Sequence, residues 1–233
     1  MKFPNLNDSK LAEFIGILLG DGSVSIYKCR NGNKIKLQHR VQITLNSKNK
    51  KYIQYISVLI EHLFDIKPIV KFRKNENACD ILIFRKSIID FLISKVGLKL
   101  SPKWNRAVIP ELFLTKDLEK YVLRGYFDTD GSVVITNNNG TIYPRLEMKI
   151  CPSPMRKSFI DILRRLNFRF GIYNIDNNRT RIQINGKEQL IKWVNDVRIK
   201  NPEYLQKINN YFIARGGISE QNSFEPPTFP PSN

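Results

Sequence analysis

Two aspartates with matching surroundings are where this 233-residue chain could do chemistry: Asp21 and Asp130, each followed by Gly-Ser. Each ends an apolar run, Leu11-Ala-Glu-Phe-Ile-Gly-Ile-Leu-Leu-Gly-Asp-Gly-Ser23 in one case and Tyr121-Val-Leu-Arg-Gly-Tyr-Phe-Asp-Thr-Asp-Gly-Ser132 in the other. A run of that length leading into alternating β-type residues reads as helix, sharp exit, strand. The acids then sit at helix C-termini, where the macrodipole is negative and a carboxylate is disfavoured without compensation. A single Asp-Gly there is an ordinary turn. Two brought together point to a divalent cation, and hydrolysis by a metal-activated water is the chemistry such a pair supports.

The spacing of small residues would bring them together. Gly16 and Gly20 are four apart, as are Gly125 and Thr129, which lays two small residues on one face of each helix and lets another helix approach closely. Copies half a chain apart suggest a pseudo-dimer with the two motif helices on its axis. Composition narrows the alternatives. Lys and Arg number 38 against 21 Asp and Glu, a net charge of +17 that suits a polyanionic partner, nucleic acid first. Cys29, Cys79 and Cys151 are scattered without a C-x-x-C pair, which argues against a disulfide framework and a zinc site. His39 and His62 fall in register with apolar neighbours, so no nucleophilic triad is expected. No apolar run reaches membrane-spanning length, and Met1-Lys-Phe-Pro-Asn5 lacks the apolar segment of a signal peptide. An intracellular protein of the cytosol, nucleus or organelle matrix is expected.

The elements around the acids follow from periodicity. Asp8 or Ser9 caps the first motif helix; a strand runs to about Arg30, a turn at Asn31-Gly-Asn33, and a second strand from Lys34 to about Leu45. In that strand Ile35, Leu37, Val41, Ile43 and Leu45 share one face, and Lys34, Lys36, Gln38, Arg40, Gln42 and Thr44 the other. A basic, amide-rich face suits DNA reading and plain solvation equally. A helix over about 48–64, strands near 68–74 and 79–85 and a helix over 86–96 complete the first half. The second half repeats the order, with a turn at Asn137-Asn-Asn-Gly140 and a strand Thr141–Ile150 in which Ile142, Leu146, Met148 and Ile150 alternate with Thr141, Tyr143, Arg145, Glu147 and Lys149. Arg145-Leu-Glu-Met-Lys149 matches Arg40-Val-Gln-Ile-Thr44 position for position. A helix from Ser153 or Pro154, strands near 170–175 and 180–185, and helices near 187–197 and 202–212 follow. The expected division is 1–100 and 117–217 as halves, 101–116 as linker, and a Pro-rich tail over 218–233.

Phe14-Ile-Gly-Ile-Leu-Leu-Gly-Asp-Gly22 and Leu123-Arg-Gly-Tyr-Phe-Asp-Thr-Asp-Gly131 resemble the nine-residue motif of the LAGLIDADG homing endonucleases, and two copies in one chain resemble the family's monomeric form. The first copy departs at Leu19, where the motif has an acid; both keep the final acid that the family uses for metal. The resemblance implies an α+β fold of two pseudo-symmetric αββαββα halves forming a DNA-binding saddle, with the motif helices packed at the pseudo-dyad. It implies site-specific cleavage of a long asymmetric double-stranded DNA target, leaving 5′ phosphates and short 3′ overhangs, with Mg²⁺ as cofactor and Ca²⁺ or Mn²⁺ able to take its site. The metal site implied is Asp21 and Asp130, with Gly20 and Thr129 beside them.

The segment Gly97-Leu-Lys-Leu-Ser-Pro-Lys-Trp-Asn-Arg-Ala-Val-Ile-Pro110 resembles the family segment in which a lysine precedes a short helix ending at Ile-Pro. Lys103 matches that lysine, whose role is to stabilise charge at the reacting phosphate; a solvated linker lysine is the alternative. Glu203 stands at the matching place in the second half, which leaves the cation of the second centre open between Lys207 and another residue. Trp104 is expected to pack. The DNA contacts implied are Ser25, Tyr27, Lys34, Lys36, Gln38, Arg40, Gln42 and Thr44 in one half and Tyr143, Arg145, Glu147, Lys149, Arg181 and Gln183 in the other. A monomer is expected, with intron RNA as a further partner. Two other readings compete: a LAGLIDADG-type maturase assisting RNA splicing, and a structural nucleic-acid packaging protein, which would leave the duplicated acids idle. An opening Met1-Lys2 and the lack of a terminal His-Asn favour a free-standing, intron-encoded enzyme over an intein-borne one.

Overall fold

The first motif helix, α1 (Ser9–Leu19), begins where the Asp8 carboxylate accepts a hydrogen bond from the Lys10 amide at 2.7 Å, one of the free N–H groups that open a helix. In this computed structural model, which describes residues 1–214 apart from residue 33, there follow β1 (Gly22–Asn31), β2 (Lys34–Asn46), α2 (Lys50–Phe64), β3 (Ile69–Phe72), β4 (Ala78–Ile83) and α3 (Lys86–Ser94). A one-turn 3-10 helix (Glu111–Phe113) precedes the second motif helix, α4 (Glu119–Asp130). The second half continues with β5 (Gly131–Asn138), β6 (Thr141–Ile150), α5 (Met155–Arg165), β7 (Gly171–Ile175), β8 (Arg179–Asn185), α6 (Lys187–Asp196) and α7 (Pro202–Ile213). The proline-rich stretch expected as a tail lies outside the described residues. No helix among them is long and apolar enough to cross a membrane.

Each half forms one four-stranded antiparallel sheet, ordered β1-β2-β4-β3 and β5-β6-β8-β7, so the expected α+β duplication is present in topology. It is present in register too. Gly22 pairs with Ile43 and Gly131 with Met148, which puts Arg40–Thr44 and Arg145–Lys149 at the same place in their sheets. One face of each sheet is apolar: Val41, Ile43, Ile81 and Ile83 in the first and Leu146, Met148, Ile182 and Ile184 in the second are all buried. Helices cover those faces, α2 and α3 in one half and α6 in the other, leaving the opposite, polar faces open.

α1 and α4 cross at the expected small residues. A methyl group added to Gly16 would stand 2.1 Å from the Val122 carbonyl oxygen, and one added to Gly125 would stand 2.1 Å from that of Glu13. The two clashes are related by the pseudo-dyad, and a backbone atom cannot yield as a side chain can. Around this crossing lies an asymmetric pair that periodicity does not disclose. Glu13 and Arg124, both buried, form an ion pair across the helices, and Tyr55 of α2 donates to Glu13 at 2.7 Å.

Three expectations need correction. Ile35 and Leu37 have the parity of the apolar face but are 70% and 62% exposed, because the β1–β2 hairpin runs past the last helix that could cover it. The short helix expected to end at Ile109-Pro110 is a single turn: Arg106 and Ala107 donate to the Lys103 carbonyl, but Asn105 adopts a left-handed φ of 58° that a helix cannot continue through. Trp104, expected to pack, is 45% exposed on that turn.

Candidate active site and nucleic-acid interface

The motif helices deliver Asp21 and Asp130 to one place. A methyl group on Gly20 would lie 3.4 Å from Cβ of Asp130, and Asp130's charge acts on Asp21. Burial first, and the neighbouring carboxylate second, raise the Asp21 carboxyl to about 7, while Lys103 pulls it down. Asp130 is likewise raised by burial, opposed by Lys103, by the Tyr126 hydroxyl that donates to it at 3.3 Å, and by Lys149 and Arg179. Lys103, brought in by the segment between the halves, donates from Nζ to the Gly20 carbonyl and feels both aspartates; its own pKa is lowered by burial.

The sequence-level assignment of the site is therefore brought together in space, with details it could not supply. Gly20's carbonyl is engaged by Lys103, and the Thr129 hydroxyl turns back to the Gly125 and Tyr126 carbonyls at 3.0 and 3.1 Å. Lys207 lies over the Tyr204 ring at 5.8 Å. The cations acting on Asp130 include Lys103, Lys149 and Arg179; Arg179 was missed because only the fold brings β8 to the acid, whereas Tyr126, four residues before Asp130 on the same helix, could have been found from its spacing.

The motif acid that the first copy lacks is also accounted for. Asp128 points away from the pair; its Oδ2 accepts the Lys200 amide at 2.7 Å, and its carbonyl accepts Asn201 Nδ2 at 2.8 Å. Asn201 in turn accepts from Asn49 at 2.8 Å, tying the starts of α2 and α7 together. Burial raises the Asp128 carboxyl to about 8. It ties α4 to the start of α7, and the equivalent place in the first copy is filled by the buried Leu19.

The polar sheet faces carry the remaining sequence-predicted residues. Ser25 pairs with Arg40 and Tyr27 with Gln38, on the same side as Lys34, Lys36, Gln42 and Thr44, and Arg40 sits 5.0 Å over the Tyr27 ring. In the other half Arg145, Glu147 and Lys149 of β6 pair with Asn185, Gln183 and Arg181 of β8. Lys34, Lys36, Tyr143 and Lys149 are open to solvent, whereas Glu147 and Gln183 are buried against one another at 2.9 Å. Arg145 Nε is 2.6 Å from Glu147, an ion pair whose N–H is not aimed at the oxygen. Arg73 and Asp80 belong to the first face and were missed, because the β3–β4 hairpin joins them and only the β2–β4 register sets Asp80 opposite Thr44.

Residues 117–215 match the family model described as a LAGLIDADG-like domain. In sequence the chain is 26% identical over 205 residues to the DNA polymerase of Methanocaldococcus jannaschii, which covers 78% of this chain and 11% of that one. To the replication factor C small subunit of the same organism it is 29% identical over 126 residues, 54% of this chain and 6% of that one. The chain thus spans at most about a tenth of the length of these curated relatives. In fold it is similar to I-DmoI, solved in complex with DNA and Mn: TM-score 0.56, 19% identity, 83% of this chain and 98% of that one. It is similar also to the I-LtrWI LAGLIDADG homing endonuclease bound to target DNA: TM-score 0.60, 12% identity, 94% and 95%. The C-terminal half matches the family model, and the N-terminal half carries a second copy of the motif with the same sheet order and register about a pseudo-dyad.

Proposed function

We propose that the chain is a site-specific endodeoxyribonuclease that hydrolyses both strands of a long, asymmetric DNA target, leaving 5′ phosphates and short 3′ overhangs. The observation that carries this reading is the convergence of Asp21, Asp130 and Lys103 at the ends of the crossed motif helices. Two partly desolvated carboxylates, both raised by burial and Asp21 further by the charge of Asp130, are a site a cation would relieve, and an all-oxygen set of carboxylates with the main chain of Gly20 and Thr129 suits Mg²⁺, which keeps most of its shell as water and substrate phosphate. Such an ion lowers the pKa of a bound water and neutralises charge on the phosphate.

The chain's own residues do the rest. Asp21 and Asp130 fix where phosphates can approach. Lys103 keeps a cation between the two centres, where charge builds up in the transition state. Tyr126 holds Asp130 in place. The open polar strands, on a chain of net charge +17, supply phosphate attraction and base contacts. Retention of both acids favours cleavage over binding alone, because carboxylates beside a polyanion only weaken a binder.

The deciding experiment is digestion of the uninterrupted insertion-site DNA with and without Mg²⁺, comparing wild type with Asp21→Asn and Asp130→Asn. Cleavage should fall by about two orders of magnitude or more in each variant while binding in Ca²⁺ persists. Near-normal cutting by either variant would remove the assignment, and binding without cutting by wild type would leave a binding protein.

A further inference from the structure

The β4 residue Asp80 organises the first polar face. It lies opposite Thr44, is 8% exposed, and accepts four hydrogen bonds. Arg73 closes on it as a fork, Nε to Oδ2 and Nη2 to Oδ1 at 2.8 Å each, while Arg73 Nη1 donates to Glu76 at 3.0 Å. The Thr44 hydroxyl donates to Oδ1 at 2.8 Å and the Gln42 amide nitrogen at 3.0 Å. Arg73 before all else holds the Asp80 carboxyl down at about 2.

An ionised carboxylate only accepts, so every neighbour must turn a donor toward it. That settles which way Gln42 points. Its Nε2 faces Asp80, and the second amide hydrogen goes to Thr44 Oγ1 at 3.3 Å. Thr44 is then used on all sides, donating to Asp80 and accepting from Gln42 and, at 3.5 Å, from Arg73. What remains free on Gln42 is one acceptor, Oε1, while Arg73 keeps one Nη1 hydrogen on the side of Glu76. A free glutamine reads adenine with two bonds, the oxygen taking N6–H and the nitrogen giving to N7. Gln42 has no hydrogen left for N7.

We propose that Asp80 makes Gln42 an acceptor-only reader, so that the base facing it must offer an exocyclic amine in the major groove: adenine or cytosine is accepted, and guanine or thymine, which offer O6 or O4, is refused. The proposal rests on the reading that this face contacts bases. Thr44 and Arg73 act as positioning residues and make no base-specific hydrogen bond of their own. The second half lacks the device: Gln183 donates to Glu147, and both side chains are buried rather than half-exposed.

The test uses the full chain with Ca²⁺, a library of randomised target sites, and wild type, Gln42→Ala, Arg145→Ala and Asp80→Asn. Gln42→Ala identifies the position it reads as the one whose preference disappears. There, wild type should select adenine or cytosine. Asp80→Asn, whose amide can accept or donate, should admit guanine or thymine about tenfold better at that position alone. A second measurement needs no variant. Removing the exocyclic amine, with purine for adenine or 2-pyrimidinone for cytosine, should weaken wild-type binding about tenfold, and 7-deazaadenine, which lacks only N7, should bind like adenine. Selection of guanine or thymine by wild type, or a loss on 7-deaza substitution, overturns the proposal while leaving the reading face intact. If neither Gln42→Ala nor Arg145→Ala alters any base preference, the reading face itself is wrong and this inference falls with it.

Discussion

At the helix crossing the two halves are interchangeable: Gly16 stands to the Val122 carbonyl as Gly125 stands to that of Glu13. One turn of side chains away they are not. Glu13 faces Arg124, and the residues at the equivalent places, Val122 and Ile15, are apolar. The acids at the centre are duplicated, but the lysine is single, with Glu203 where a second Lys103 would stand. The polar faces diverge again, one organised by Asp80 with a forked arginine, the other by Glu147 with a looser pair. Backbone-to-backbone contact tolerates no change in either copy, whereas side chains that meet only across the dyad can diverge together.

The largest effect expected from breaking this comparison is at its least symmetric point. Arg124→Met should destabilise the protein by about 3–5 kcal/mol, because it leaves a buried carboxylate without its cation. Adding Glu13→Leu should recover much of that loss in chemical denaturation, and failure to recover would show that the ion pair is not the cause. Next is Lys103→Met. One lysine acts on both aspartates, so cleavage of both strands should slow by about a hundredfold while binding changes little. Slowing of one strand only would mean that each centre has its own cation.

Smaller and equal effects should come from the symmetric contact. Gly16→Ala and Gly125→Ala should each cost about 1–3 kcal/mol, and a marked inequality between them would break the pseudo-dyad. The smallest concerns pH. Asp80 has a folded pKa of about 2 against 3.8 in an unfolded chain, so the folded state releases its proton first; the resulting stability is fully present above about pH 4 and is lost as pH falls through 2. Relative to Asp80→Asn, wild type should gain about 1–2 kcal/mol at pH 6, shrinking through pH 2 and vanishing below it. A difference independent of pH would show that Asp80 does not act through its charge.

The duplicated string with its small residues four apart made the helix crossing and the acid pair legible, because both are local patterns repeated. Alternation gave the sheet faces for the same reason. It could not say that Ile35 and Leu37 lie bare, since parity fixes a side and not what covers it. Glu13 reads as a polar interruption in an apolar run and Arg124 as another; only the angle at which two helices meet pairs them. Asp80 reaches Gln42 and Thr44 through a register between strands far apart in sequence, and no spacing along the chain encodes that.

The Glu13–Arg124 pair has a bearing on how the halves assemble. A symmetric dimer of first halves would bury two Glu13 side chains against Ile15, and a dimer of second halves two Arg124 side chains against Val122, so neither half can satisfy a copy of itself. Cutting the connection between them would yield two unlike subunits that recombine only with one another. The pair therefore fixes which half meets which, and the two motif helices cannot be exchanged for one another.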